Sequence, residues 1–165
     1  CPRVGLVNNG GEECKCPELY VEAHRLLKSN PNLLFVGNIE GRGVMMGDCE
    51  VAVCDGFSGN LLLKGCEGAG LFFLGLMKEA LTASPLSTLG ALLMKKQLRA
   101  LKHRADYTEV GGAAVMGVCH PVIKAHGNSK AKPFKNAIRQ AADFAGSGVI
   151  EQIKQTLAQT QEGTR

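Results

Sequence analysis

Residues 51–68, VAVCDGFSGNLLLKGCEG, limit what this chain can fold into more than any other stretch. An apolar run, residues 51–54, reads as a short buried strand. It breaks into Asp55-Gly56-Phe57-Ser58-Gly59-Asn60, and an apolar helical pattern follows over residues 61–76. Open α/β sheets place ligands in this order of elements, at the carboxyl ends of strands and the amino ends of helices. Gly56 and Gly59 permit close backbone approach or a positive φ. Ser58 and Asn60 can cap the helix or hydrogen-bond a ligand. Lys64 lies one helical turn beyond Asn60, so the two share a face. An amide and a cation near a helix start suit an anion or a developing oxyanion. The same residues also describe a capped helix with a solvated lysine, and spacing alone favours that second reading.

The rest of the chain repeats this rhythm. Residues 3–8 read as a buried strand, followed by an Asn9-Gly10-Gly11 turn and a polar loop holding Lys15. Pro17 suits the first position of a helix that runs to about Ser29, with Leu19, Ala23, Leu26 and Leu27 inward. Residues 33–36 form a second strand. A loop over residues 37–43 then carries Asn38, Glu40 and Arg42. The order β-α-β-loop-β-α predicts a mainly parallel sheet with helices on its faces and polar loops at one edge. Those loops would gather Lys15, Asn38, Glu40, Arg42, Asp55, Asn60, Lys64, His126 and Ser129.

Residues 81–104 interrupt the rhythm. Leu86, Leu89, Leu92, Leu93 and Met94 are apolar at a two-helix corner that Ser87 or Thr88 can start. Lys95, Lys96, Arg99, Lys102, His103 and Arg104 follow. An apolar tip beside a cationic helix can rest on an anionic membrane, or pack in a dimer interface or core. Residues 106–112 read as a loop. Residues 113–118 and 122–125 read as a hairpin of strands, leading to the turn His126-Gly127-Asn128-Ser129. A helix over residues 130–144 directs Ala131, Phe134, Ala137, Ile138 and Ala141 inward. A last helix covers residues 149–159, and residues 161–165 form a frayed tail.

Composition excludes several classes. No tryptophan is present and aromatics make up 5% of residues, which argues against a base-stacking surface. A net charge of +4 is too slight for a dedicated nucleic-acid binder. Seven cysteines, an odd number set partly in apolar segments, fit reduced thiols rather than a disulfide framework. Cys14-x-Cys16 has no second pair at zinc spacing, so no metal is expected. P-loop, dinucleotide and Gly-x-Ser-x-Gly signatures are missing. The chain starts at Cys1-Pro2 with no initiator Met, no signal peptide and no run that reads as long enough to span a bilayer. It reads as a piece of a longer protein, residues 1–165 being the carboxyl-terminal part of one α/β domain.

Several blocks resemble the phosphate acyltransferase PlsX family. They are Pro2-Arg3-Val4-Gly5-Leu6, Phe35-Val36-Gly37-Asn38-Ile39-Glu40-Gly41-Arg42 and Cys54-Asp55-Gly56-Phe57-Ser58-Gly59-Asn60 through Lys64. Further on come Asp106-Tyr107-x-Glu109-x-Gly111-Gly112-Ala113, Val122-Ile123-Lys124-Ala125-His126-Gly127 and Phe134-Lys135-Asn136-Ala137-Ile138-Arg139. The resemblance covers nearly the whole chain, in order. It implies a three-layer α/β/α fold like isocitrate dehydrogenase and phosphotransacetylase, normally a homodimer, with residues 81–104 as a projecting helical arm. It implies transfer of a long-chain acyl group from acyl carrier protein to inorganic phosphate, without metal or organic cofactor, for bacterial phospholipid synthesis. The expected location is cytoplasmic, with peripheral membrane contact through Leu86, Leu89, Leu92 and Leu93. Lys15 and Asn60 match positions assigned to catalysis. Asn38, Glu40, Asp55, Gly56, Gly59, Lys64, His126 and Ser129 are expected around the substrates. The loop departs from the family at Cys16-Pro17, where a glycine usually follows the lysine. Two other readings compete. A dehydrogenase of the related fold would need metal-binding aspartates and a nucleotide pocket, which are not found. A non-catalytic membrane- or carrier-binding scaffold would bind without turnover.

Overall fold

Residues 3–7 alternate apolar side chains with Gly5, and they form the central strand β1 (Arg3–Val7). Val4 and Leu6 are among the most buried residues described, Leu6 at 2% exposure. Gly5 is required by packing, because a Cβ there would stand 2.8 Å from Ile39 Cδ1. The structure, a computed structural model, describes residues 1–15, 17–104 and 111–162, excepting the side chains of 102–104 and 160–162. It divides into two compact units, Cys1–Glu79 and Ala80–Arg165.

In the first unit, β1 pairs in parallel with β2 (Leu34–Ile39) on one side and β3 (Val51–Val53) on the other. The order is β2-β1-β3. The register to β2 slips between Val4 and Gly5, and Gly37 absorbs the slip with φ 94°. The second strand is therefore longer than expected and contains Asn38. The predicted loop beyond it is a short helix, α2 (Gly41–Met46), closed by left-handed Gly47.

The crossover helix α1 (Glu18–Ser29) begins after Pro17, which precedes the helix rather than opening it. Its inward face differs from expectation. Leu19 and Leu26 are 68% and 54% exposed, while Tyr20 and Ala23 are half-buried, His24 is buried and Leu27 is half-buried. These four recur at helical spacing, and the two polar members are accommodated because each has a hydrogen-bond partner on another element.

Helix α3 (Gly56–Thr82) begins five residues before the apolar pattern at 61–76 and runs to Thr82, where the interruption at 81–104 stops it. The expected turn at 55–60 is its first turn, because the Asp55 carboxylate caps it. Oδ1 accepts from Phe57 N at 2.8 Å and Ser58 N at 2.9 Å. Asn60 therefore lies inside the helix and does not cap it. By length and composition, α3 is long and apolar enough to cross a membrane, with a mean hydropathy of 1.2 over its most apolar window. This corrects the expectation that no such run exists. Gly65, Gly68, Gly70 and Gly75 conceal the run in the sequence, and the helix continues through them. A helix packed on another protein surface has the same composition.

In the second unit, α4 (Pro85–Leu93) starts at Ser84, not at Ser87 or Thr88. Ser84 and Ser87 form a reciprocal capping box, with Pro85 in the first turn. After a corner at Met94, α5 (Lys95–Arg104) packs on α4. The predicted loop at 106–112 lies mostly outside the described residues. Strands β4 (Gly112–Ala114) and β5 (Ile123–Ala125) pair antiparallel, as the hairpin reading expected, though shorter. Helix α6 (Ala131–Gly146) packs on both strands. Ala137 is buried and Ala141 half-buried, as predicted. Pro133 takes the place expected of Ala131, and Phe134 and Ile138 are 57% and 60% exposed. The inward stripe 133, 137, 140, 141, 144 runs one position round from the apolar residues that suggested the other face. Helix α7 (Val149–Glu162) completes the described chain, and the tail beyond 162 lies outside the described residues.

Candidate functional site

Parallel pairing puts the carboxyl ends of β1, β2 and β3 at one edge of the first unit. Leu6 pairs with both Asn38 and Val53, so the loop bearing Lys15, the end of β2 and Asp55 leave the sheet at similar levels. This edge brings together the Lys15 loop, Asn38, Glu40, Asp55 and the start of α3. His126 and Ser129 belong to the second unit and are described by themselves.

Lys15 is exposed, and its Nζ lies 3.2 Å from Glu12 Oε1. Glu12's own backbone N–H, and then Lys15, hold the Glu12 carboxyl below the usual range. Glu13 pairs with Lys28 of α1 at 2.6 Å, which tethers the loop to that helix. Asn8, buried at the end of β1, donates its backbone N–H to Ile39 O at 2.8 Å, and its Nδ2 lies 3.5 Å from Lys15 O. A depression of about 480 Å³ over the loop and α1 is lined by Glu13, His24, Arg25 and Lys28. Its cations are already paired, Arg25 with Glu22 and Lys28 with Glu13.

Asn38 was expected to touch substrate, but its amide is engaged within the protein. Oδ1 faces His24 Nδ1 at 2.9 Å, and Nδ2 donates to Glu12 O at 2.8 Å. Asp55 is similarly occupied. Oδ1 caps α3, and Oδ2 accepts from Tyr20 Oη, which lies 3.1 Å from Ser58 Oγ. Hydrogen bonds from Ser58 and Tyr20 hold the Asp55 carboxyl far below the usual carboxylate range. The positive end of α3 is thus already met by a carboxylate, which weakens it as an anion site. Gly59 faces Cys54 Sγ so closely that a Cβ would clash, so its smallness serves packing at the strand end. Gly56 has open space where a Cβ would stand. Glu40 precedes α2 and is exposed, as is Asn60 on the second turn of α3. Lys64 pairs with Glu67 at 2.7 Å.

In the second unit, His126 Nδ1 accepts from Asn128 N at 3.3 Å. The neutral ring then carries its proton on Nε2. Ser129 Oγ is a buried hydroxyl with no hydrogen-bond partner among the described residues. No group of three or more His, Cys, Asp or Glu side chains placed to hold a metal occurs among the described residues. Sequence reasoning missed Tyr20, His24 and Asn8. The available signal was a polar residue at each buried helical or strand-end position.

The first unit is thus α/β, with a parallel three-stranded sheet whose strand ends carry the lysine loop and the carboxylate-capped helix; in open α/β sheets ligands bind at that edge. The chain belongs to the family described as fatty acid synthesis protein, whose model matches residues 1–152. It is 47% identical over 96% of its length to a phosphate acyltransferase of Caldanaerobacter subterraneus subsp. tengcongensis, of which it covers 48%. It is 49% identical over 94% of its length to one of Thermoanaerobacter pseudethanolicus, and 46% over 94% to one of Campylobacter jejuni, covering 47% of each. The chain spans about half the length of the curated relatives it matches.

Proposed function

We propose that this chain is the carboxyl-terminal half of an enzyme that transfers a long-chain acyl group from acyl carrier protein to inorganic phosphate. The product, acyl phosphate, feeds phospholipid synthesis. The observation that carries the reading is the agreement with phosphate acyltransferases over 94% or more of the chain. The chemistry asks little of the protein beyond position and charge. A phosphate oxygen attacks the thioester carbonyl, a carbon–oxygen bond forms, and a tetrahedral oxyanion results. The carbon–sulfur bond then breaks, and the carrier's thiol leaves with the proton given up by phosphate. Holding two reactants in line and meeting the oxyanion with donors supplies the rate enhancement. Lys15 holds phosphate or polarises the carbonyl, exchanging Glu12 for the incoming anion. Asn60 donates a hydrogen bond, and Lys64, His126 and Ser129 take secondary parts.

The finer fold is the three-layer α/β/α arrangement, and the working form is a homodimer on the cytoplasmic membrane surface. Leu86, Leu89, Leu92 and Leu93 support membrane contact. All four are more than half exposed, with Leu86 and Leu93 at 80%, and the exposed cations Lys95, Lys96 and Arg99 follow them. The test is formation of acyl phosphate, trapped as its hydroxamate, by the full-length protein from palmitoyl-acyl carrier protein and phosphate. Turnover that requires both substrates supports the reading. Liposome binding with no turnover, where a phosphate acyltransferase relative works, replaces it with a non-catalytic scaffold.

A further inference from the structure

The oxygen of Glu12 receives two hydrogen bonds, one from Asn38 Nδ2 at 2.8 Å and one from the backbone N–H of Lys15 at 3.3 Å. A carbonyl oxygen only accepts, so Nδ2 of Asn38 must face it. That orientation turns Oδ1 toward His24. Oδ1 also only accepts, so His24 Nδ1 carries the proton that joins them at 2.9 Å. The imidazole is 5% exposed, and its ring packs edge-on against Phe35 with centroids 5.0 Å apart. A buried ring therefore sets an amide, the amide sets a carbonyl, and the same carbonyl holds the backbone of Lys15. Each member of this chain is satisfied by the next, and removing Asn38 leaves the buried imidazole of His24 without the partner of its Nδ1.

We infer that Asn38 and His24 are positioning residues that clamp the loop at residues 9–15 and so place Lys15 for phosphate. The inference rests on the reading of Lys15 as the phosphate-holding cation. It gives Asn38 a different part from the substrate contact expected of it, and it gives His24 a part where the sequence suggested none. The clamp holds the loop from the sheet side, through Asn38 of β2.

The experiment uses the full-length protein and two readouts, the rate of tryptic nicking after Lys15 and steady-state kinetics in phosphate. Asn38→Ala removes the central amide. His24→Phe keeps a ring against Phe35 and removes the donor. His24→Asn places an amide nitrogen near the position of Nδ1 and restores a donor. Asn38→Ala and His24→Phe are expected to speed nicking about tenfold and raise the phosphate KM about tenfold, leaving the acyl-donor KM near wild type. His24→Asn is expected to recover most of both. Asn38→Ala placed on Lys15→Ala is expected to cost nothing further, because it acts through Lys15. Unchanged nicking overturns the clamp while leaving the role of Lys15 standing. Faster nicking with unchanged phosphate kinetics overturns the proposal through Lys15, and with it that residue's assigned role. Equal losses for both substrates with no rescue by His24→Asn overturn it in favour of a general stabilising part.

Discussion

Tyr20→Phe is the smallest change that tests how α1 is fastened to the start of α3. It removes one oxygen, the one that donates to Asp55 Oδ2 and lies 3.1 Å from Ser58 Oγ, and it leaves the half-buried ring in place. A hydrogen bond to an ionised acceptor is stronger than one between neutral groups, and losing it is expected to raise the local opening equilibrium about tenfold. Asp55 also receives the amides of Phe57 and Ser58, so the effect concentrates on those two positions. Amide hydrogen exchange reads it directly, with opening at Phe57 and Ser58 about tenfold faster than wild type at pH 7 and β1 unchanged. The pH dependence carries a definite sign. The folded Asp55 carboxyl lies far below its ordinary value, so its contribution is complete above about pH 4 and is lost as pH falls toward the folded value. The gap between Tyr20→Phe and wild type therefore narrows in acid. Exchange that is unchanged at Phe57 and Ser58, or a gap that widens in acid, would refute the reasoning.

Leu6→Ala, at 2% exposure in the central strand, is expected to lower unfolding free energy by about 3 kcal/mol, measured by urea titration of circular dichroism. Arg3 donates to both oxygens of Glu50, whose carboxyl is held down to about 2, so the pair's contribution is present above the usual carboxylate range and fades as pH falls toward 2. Arg3→Ala should flatten the acid limb of the stability–pH curve between about pH 4.5 and 2, followed by thermal melts across pH. Leu86→Asp with Leu93→Asp is expected to reduce sedimentation with anionic vesicles at least tenfold while leaving turnover of soluble substrate unchanged.

Strands were legible where the apolar run and its boundary residues agree. Arg3–Val7 ends at Asn8, and the Gly37 slip alone displaced the end of β2. Helix faces were less legible. Leu19, Leu26, Phe134 and Ile138 look inward by composition and stand exposed, because apolar character marks a face without saying what packs on it, and here the neighbouring positions take the inward stripe. Tyr20 and His24 are inside because Asp55 and Asn38, 35 and 14 positions away, receive them, and no short-range spacing records such partners. The glycines at 56 and 59 imitate a turn. The Asp55 carboxylate on the amides of Phe57 and Ser58, and the Gly59 N–H donating to Asp55 O at 3.0 Å, reveal that the helix has already begun. Several of the residues expected at the site lie at one sheet edge, but the side chains of Asn38 and Asp55 hold that edge together. Lys15 and Arg42 are the exposed cations among those expected from the first two strands.

The most direct test of that reading is the phosphate dependence of acyl phosphate formation by full-length Lys15→Ala, beside Asn60→Ala and wild type. The account predicts a loss of kcat/KM for phosphate of at least a hundredfold in Lys15→Ala, with melting temperature unchanged, as expected for removing a charge that meets the reacting groups. Wild-type kinetics in Lys15→Ala would contradict it and move the phosphate site away from the loop after β1.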